Sequence, residues 1–399
     1  MYVIGQTGTG KSTLLLNMIT QDIAAGLGVA VIDPHGDLAE AVLDHVPPHR
    51  INDVVYFNPS DHDHPIGFNV LDAEAGHPEH LAASGLVDVF KKIWSDSWGP
   101  RLEYILRNAI LALLQAPETS LLGIPRLLID PSYRAEVLRH VKDPVVRQFW
   151  EIEYELYPKV FRAETISPIQ NKVGQFLSVA VMRNMLGQTT SRFDLREIMD
   201  SGKILIVNLA KGRLGEDNAA LLGSLLVTRL AQAAMSRANV PPEQRRPYTV
   251  LIDEFQNFAS ESFGNSLSEM RKYGLQLVLA HQYLSQMPES LRSAVFGNIG
   301  TIISFRIGAE DGGYLEQEFS PTFSAQHLIG LPAYEIYLKL CIDGKTSDPF
   351  SAKTLPPTTR SHNCASKVIA QSRERYTTPR SVVEDKILRW KQSEMLHTE

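Results

Sequence analysis

The sequence predicts an α/β protein with a mostly parallel sheet, interrupted by an all-helical insertion. Two observations carry that prediction. Short apolar runs alternate with helical patterns at the two ends of the region 1–355, as in βαβ units, while the stretch between them shows helical spacing alone. In addition, a glycine-rich loop at residues 5–12 lies between an apolar run and an amphipathic segment, the context in which such a loop binds phosphate.

Taken in order, Tyr2–Ile4 reads as a strand, Lys11–Ala25 as a helix, and Gly28–Asp33 and Asp53–Asn58 as further strands. These form a first core segment, 1–72. From 73 to 200 apolar residues recur at i, i+3, i+4 over Glu79–Trp94, Pro100–Ala116, Tyr133–Val141, Pro144–Leu156 and Arg162–Leu186, with Pro125, Pro131, Pro144, Pro158 and Pro168 punctuating them. A second core segment, 201–355, resumes with the strand Lys203–Leu209, the helix Asn218–Ala238 and the strands Tyr248–Ile252, Leu275–Ala280 and Thr301–Ile307. Glu335–Ile342 and Asp348–Thr354 close it as an antiparallel pair around Asp343-Gly344. Residues 356–399 form a polar tail with a short helix at Ser381–Lys391.

Composition bounds the rest. The chain has 399 residues, 44% hydrophobic and 21% charged, in the ordinary globular range. Two cysteines, Cys341 and Cys364, support neither a disulfide framework nor a four-ligand zinc site, so a reducing, cytoplasmic setting is expected. The net charge of −6 excludes a uniformly basic surface but leaves room for positive charge confined to a few loops. The most apolar long stretch, Ala219–Met235, is broken by Arg229 and Gln232 and falls short of the roughly 20 apolar residues of a membrane span. Four residues precede the loop at Gly5, the minimum for its strand, so either a minimal protein or the loss of an upstream domain is expected.

The loop Gly5-Gln6-Thr7-Gly8-Thr9-Gly10-Lys11-Ser12, followed by Thr13, is the candidate phosphate cradle. Its glycines let backbone N–H groups point at phosphate oxygens, Lys11 places a charge between the β- and γ-phosphates, and Ser12 ligates Mg²⁺. Asp253 and Glu254, delivered by the strand Tyr248–Ile252, are the candidate metal ligand and general base. No Asn-Lys-x-Asp motif selects guanine and no Leu-Ser-Gly-Gly signature occurs, so ATP with Mg²⁺ is the expected nucleotide. Gln282, at the C-terminal end of its strand, is placed to sense the γ-phosphate or orient water. Arg271, before the same strand, either reaches a neighbouring subunit's nucleotide or is a surface arginine favoured by a helix C-terminus.

Several other residues carry two readings. His35 and Asp37 either approach the nucleotide or form a turn in which Asp37 caps the next helix; Arg306 is a second phosphate-sensing arginine or a structural ion pair. Lys211-Gly212-Arg213 is a candidate loop for phosphate-backbone or pore contact. Asp61-His62-Asp63-His64 reads as a solvated turn, since adjacent loop positions seldom converge on one ion, and Trp98-Gly99-Pro100-Arg101 reads as a helix start.

Together, residues 5–13, Asp33-Pro34-His35-Gly36-Asp37, Pro65-x-Gly67-Phe68-Asn69, Val250-Leu251-Ile252-Asp253-Glu254-Phe255 and Arg271-Lys272-x-Gly274-Leu275 with Gln282 resemble the HerA/FtsK group of RecA-like motors. Most closely they resemble the cytosolic ATPase of type IV secretion (conjugative) coupling proteins of the TraG/TraD kind. The resemblance implies a RecA-like core and a homo-oligomeric, hexameric ring. It further implies an ATP-driven DNA translocase or helicase acting on single- or double-stranded DNA, with Arg271 as a finger in trans and Gln282 as sensor. Coupling proteins of this group carry membrane helices before the loop and HerA-type helicases a small β-barrel; the sequence shows neither, which leaves the branch open. Recruitment to the inner face of a membrane by a membrane-bound partner, or a nuclease partner, are the alternative expectations. The competing expectation is an ATPase that moves or remodels a protein substrate, with no DNA in its pore.

Overall fold

The computed structural model describes residues 1–72, 78–359 and 361–392. Their contacts divide into two compact units. The first comprises Met1–Phe57, Arg196–Gly212 and Arg237–Ser372; the second comprises Asn58–Leu195, Arg213–Ser236 and the chain from Arg373.

The first unit is built on one sheet. Its strands are β1 (Tyr2–Ile4), β2 (Gly28–Asp33), β3 (Val54–Phe57), β4 (Ile204–Asn208), β5 (Tyr248–Ile252), β6 (Leu275–His281), β7 (Ile302–Ser304) and β8 (Glu335–Lys339), with β11 (Phe350–Lys353) at one edge. Between the last two, β9 (Cys341–Ile342) and β10 (Lys345–Thr346) form a small hairpin. The strand order is β11-β8-β7-β1-β6-β5-β2-β4-β3. From β7 to β3 all pairs are parallel; β8 lies antiparallel to β7 and β11.

Strands β1, β2, β3 and β4 are buried at every position, which is why they read in sequence as unbroken apolar runs. At the tip of the antiparallel pair, Asp343 (φ 49°) and Gly344 (φ 78°) both take left-handed backbone, as a two-residue hairpin with matching twist requires. The α/β class with a mostly parallel sheet is therefore the one the sequence predicts.

The second unit is helical. Glu79–Ile93 packs on Glu216–Ser236, and Gly85 permits the approach: a Cβ there would lie 2.6 Å from Gln232 Nε2 and 2.8 Å from Thr228 Cγ2. By length and mean hydropathy the stretch Glu216–Asn239 could cross a membrane, but 83% of its apolar window is buried inside the protein, the signature of a core helix. Trp94 stacks between Phe90 and Phe176, while Phe149, Trp150 and Tyr154 pack on one another. Pro100 opens its helix at the first position, as the Gly99-Pro100 pair suggests.

Three local expectations fail. The segment expected as one helix over Arg162–Leu186 is two, Lys159–Ser178 and Ala180–Leu186, parted where Val179 turns extended. Pro168 does not punctuate; it sits inside the first of them. The polar tail contains a second helix, Ala365–Tyr376, beside Arg380–Gln392.

Candidate nucleotide site

The site lies in the first unit, at the C-terminal ends of the parallel strands, where ligands of such sheets bind. β1 ends at Ile4 and the loop follows. Gly5 N–H donates to the His281 carbonyl (3.2 Å), and Gln6 N–H to the Arg306 carbonyl (2.9 Å), so the loop is seated on the ends of both flanking strands. Gly8 (φ 79°) and Gly10 (φ 112°) supply the left-handed backbone that curls it, and a Cβ on Gly5 would fall 2.5 Å from Phe305 Cβ. Thr9, fully buried, closes the turn by donating its hydroxyl to the Gln6 carbonyl at 2.7 Å. The helix Lys11–Ala24 then begins, presenting its free N–H groups to the loop interior.

Lys11 is buried. Its Nζ donates to the carbonyls of Gly5 and His281, both at 3.0 Å, and stands 3.6 Å from Glu254 Oε1. Burial pulls its pKa down, and the Glu254 and Asp253 carboxylates oppose that pull. Behind it His281 is buried, its Nδ1 3.2 Å from the Tyr2 hydroxyl; burial first, and Lys11 second, lower its pKa to about 3. A neutral imidazole there adds no second cation beneath the phosphate cradle.

The acidic pair owes its geometry to a kink. Along a strand, successive side chains point to opposite faces. Asp253 N–H still pairs with the Ile32 carbonyl (3.0 Å), but Glu254 takes φ 48°, which breaks the alternation and lets both carboxylates line one cleft. Glu254 Oε2 accepts from Gln256 Nε2 at 2.8 Å. Desolvation raises the Asp253 pKa to about 6; Lys11 opposes the shift, and Glu254 and Asp33 add to it.

Asp33, at the end of β2, is buried and accepts from the backbone N–H groups of His35 (2.8 Å) and Ala39 (2.9 Å). Asp33, not Asp37, thus holds the start of the helix Asp37–His45. His35 and Asp37 are exposed and face the cleft.

β6 lies between β1 and β5, so the residue after it emerges between the loop and the acidic pair. That residue is Gln282, whose Oε1 accepts from the Thr7 hydroxyl at 3.1 Å. The structure therefore brings Gln6, Thr7, Gly8, Lys11, Ser12, Thr13, Asp253, Glu254 and Gln282 to one cleft of about 470 Å³.

Other candidates lie elsewhere. Arg271 is exposed, in the turn that ends the helix Glu261–Met270, at the opposite end of β6; seven strand residues at about 3.3 Å each put it about 23 Å from Gln282. Arg306 seats the loop through its carbonyl, and among the described residues its guanidinium has no ion pair. Lys211-Gly212-Arg213 is not a loop but the start of the short helix Lys211–Leu214. In the other unit Asp61 pairs with Arg373 at 2.6 Å, and no group of three or more metal-ligating side chains occurs among the described residues.

Mg²⁺ in nucleotide sites is held through one or two carboxylates together with phosphate oxygens instead of a protein cage. The donors present are hard oxygens: the Asp253 carboxylate, buried against Lys11, and the Ser12 hydroxyl, open to the cleft. The cleft volume is also within the usual range for small-molecule ligands, about 300–1,000 Å³. The residues fit a nucleotide triphosphate with its metal.

The raised Asp253 pKa makes a stability prediction. Between about pH 4 and pH 6 the folded chain binds more protons at this group than the unfolded chain, so its contribution becomes unfavourable as pH rises through that window. Above pH 6 the cost is on the order of 3 kcal/mol. Asp253→Asn should therefore raise Tm in nucleotide-free buffer at pH 7.5, and the gain should shrink towards pH 4; equal Tm values for both proteins at pH 7.5 would refute the assignment.

A glycine-rich loop at the end of β1 and an acidic pair at the end of β5, with β6 between them, define a P-loop nucleotide-binding protein of RecA-like fold. Within that class, the profile of the type IV secretion-system coupling protein DNA-binding domain matches residues 1–306, and the chain belongs to that family. Among solved structures, plasmid coupling protein TrwB in complex with ADP and Mg²⁺ superposes with a TM-score of 0.62 at 14% identity, over 91% of this chain and 87% of that one. TrwB with a non-hydrolysable ATP analogue gives 0.60 at 16% identity, over 90% and 86%. VirB4 of Thermoanaerobacter pseudethanolicus gives 0.58 at 13% identity, over 89% and 88%. At these identities the likeness is one of fold. No curated protein sequence matches the chain.

Proposed function

We propose that the chain hydrolyses ATP and couples turnover to the movement of DNA through a ring of identical subunits in the cytoplasm. The observation that carries this reading is the meeting of Lys11, Asp253, Glu254 and Gln282 in one cleft, on a chain of the coupling-protein family. Lys11 and the loop N–H groups hold the β- and γ-phosphates, with Ser12 and Asp253 as the Mg²⁺ ligands. The metal, when bound, neutralises charge on the phosphate oxygens. Glu254 takes a proton from a water as its oxygen bonds to the γ-phosphorus and the bond to the ADP oxygen breaks, giving ADP and phosphate. Gln282 orients that water, and Arg271 serves the nucleotide of the adjacent subunit.

The test is the ATPase rate with and without single- and double-stranded DNA, at about 50 mM and 200 mM salt. Stimulation at low salt that fades at high salt is expected from counterion release at phosphate contacts. ATP hydrolysis that neither DNA stimulates at low salt would reject a DNA motor in favour of an ATPase acting on protein.

A further inference from the structure

Tyr334 is an aromatic side chain held in an unfavourable place. It is 49% exposed and has φ 69°, a left-handed backbone that bulky residues seldom adopt. Two contacts hold it there. Its N–H donates to the Thr9 carbonyl at 2.8 Å, and its own carbonyl accepts from the N–H (2.8 Å) and hydroxyl (3.1 Å) of Thr354. The ring lies directly over the phosphate loop: a Cβ on Gly10 would fall 2.8 Å from Tyr334 Cδ1. Next to Thr354, Leu355 is 67% exposed. The segment after it is anchored on the helix Lys11–Ala24, where Asn17 Nδ2 donates to the Pro356 carbonyl (3.0 Å) and Asn17 Oδ1 accepts from Thr358 N–H (3.0 Å). The Tyr334 ring is thus fixed at the start of that helix, and the backbone at the exposed Leu355 is fixed on its second turn, where the Leu355 carbonyl also accepts from Asn17 Nδ2 (3.4 Å).

The polarity of the cleft says what belongs between them. Lys11 Nζ, Glu254 and Gln282 mark the end where the terminal phosphate is cleaved. The other end of a phosphate chain leaves past Ser12 and Thr13, and Asn17 stands one helical turn beyond Thr13. We propose that Tyr334 and Leu355 form the nucleobase subsite, the ring stacking on one face of the base and the leucine covering the other. This rests on the reading of the cleft as an ATP site. The strained backbone of Tyr334 is then the cost of presenting a rigid aromatic platform at the loop. Stacking recognises any base by its π-face, so the subsite adds affinity for nucleotides without by itself selecting adenine over guanine.

The test compares ADP with pyrophosphate, both with Mg²⁺, by calorimetry on the full chain. Tyr334→Asn removes the ring while keeping a residue that tolerates left-handed backbone; Tyr334→Phe keeps the ring, and Leu355→Ala tests the opposite face independently. Expected for Tyr334→Asn is about a tenfold rise in Kd for ADP with Kd for pyrophosphate unchanged, restored by Tyr334→Phe. Leu355→Ala should weaken ADP by a few-fold, again sparing pyrophosphate. Unchanged ADP affinity in both Tyr334→Asn and Leu355→Ala, or equal losses for ADP and pyrophosphate, would overturn the subsite while leaving the phosphate site standing. A wild-type chain that bound neither ligand would overturn the ATP reading itself, and the subsite with it.

Discussion

Glu254→Gln should retain ADP and ATP binding and lose turnover by about 10²–10⁴-fold, the contribution of a positioned general base. The substitution is close to isosteric. The amide oxygen can still accept from Gln256 Nε2, as the Glu254 carboxylate does at 2.8 Å, so the left-handed turn that carries the residue keeps its local hydrogen bond. Lys11 loses a carboxylate 3.6 Å away but keeps both carbonyl acceptors, and bound phosphate replaces the missing negative charge. Binding and chemistry should therefore separate. Calorimetry with ADP and a multiple-turnover phosphate-release assay check the two halves. Turnover within tenfold of wild type would mean that Glu254 does not act as the base. Loss of ADP binding would mean that its charge is needed to hold Lys11 in place.

Much of this site is legible in sequence because its parts are local. A strand that delivers an acid pair, as Tyr248–Ile252 delivers Asp253 and Glu254, announces itself by an unbroken apolar run into charge. The loop at 5–12 is likewise contiguous. What sequence does not show is whatever depends on strand order or on the fold paying a local penalty. That Gln282 emerges between the loop and the acids follows from β6 lying between β1 and β5, which no periodicity encodes. Asp33 looks like one more strand-end acid, yet its buried carboxylate organises the turn at His35 and the helix after it. Tyr334 gives no signal at all, since a tyrosine in the left-handed region runs against its own propensity. The helix Ala365–Tyr376 escapes for the opposite reason. It buries Val368 and Ser372, and is held partly by the Ser372 hydroxyl accepting from Tyr56 N–H at 2.9 Å, so it lacks an apolar stripe to read.

Arg271→Ala should reduce turnover by about 10³-fold or more with little effect on nucleotide binding, if the arginine completes the site of an adjacent subunit. The geometry within one chain excludes direct contact between Arg271 and that chain's own cleft, because about 23 Å of β6 separates the turn from it. The turn is also well fixed. Lys272 pairs with Glu269 at 2.7 Å, the Tyr273 carbonyl accepts from Arg237 at 2.9 Å, and Gly274 takes the left-handed φ of 78° that ends it. Among the described residues only the Arg271 guanidinium of this turn's two cations lacks a hydrogen bond or ion pair. A surface arginine favoured by the helix C-terminus would occupy the same place, so position alone does not separate the readings; complementation does. Lys11→Ala leaves Arg271 intact but should bind phosphate poorly, whereas Arg271→Ala binds nucleotide but offers no finger. Each alone should be inactive. Mixed at assembling concentrations, interfaces that pair an intact Lys11 with a neighbour's intact Arg271 should recover part of the wild-type rate, rising with the fraction of mixed interfaces. Full activity of Arg271→Ala alone would return the residue to the surface reading. Inactivity of both variants with no recovery on mixing, in oligomers shown to exchange subunits, would mean that the arginine acts within its own chain through the structure of the turn.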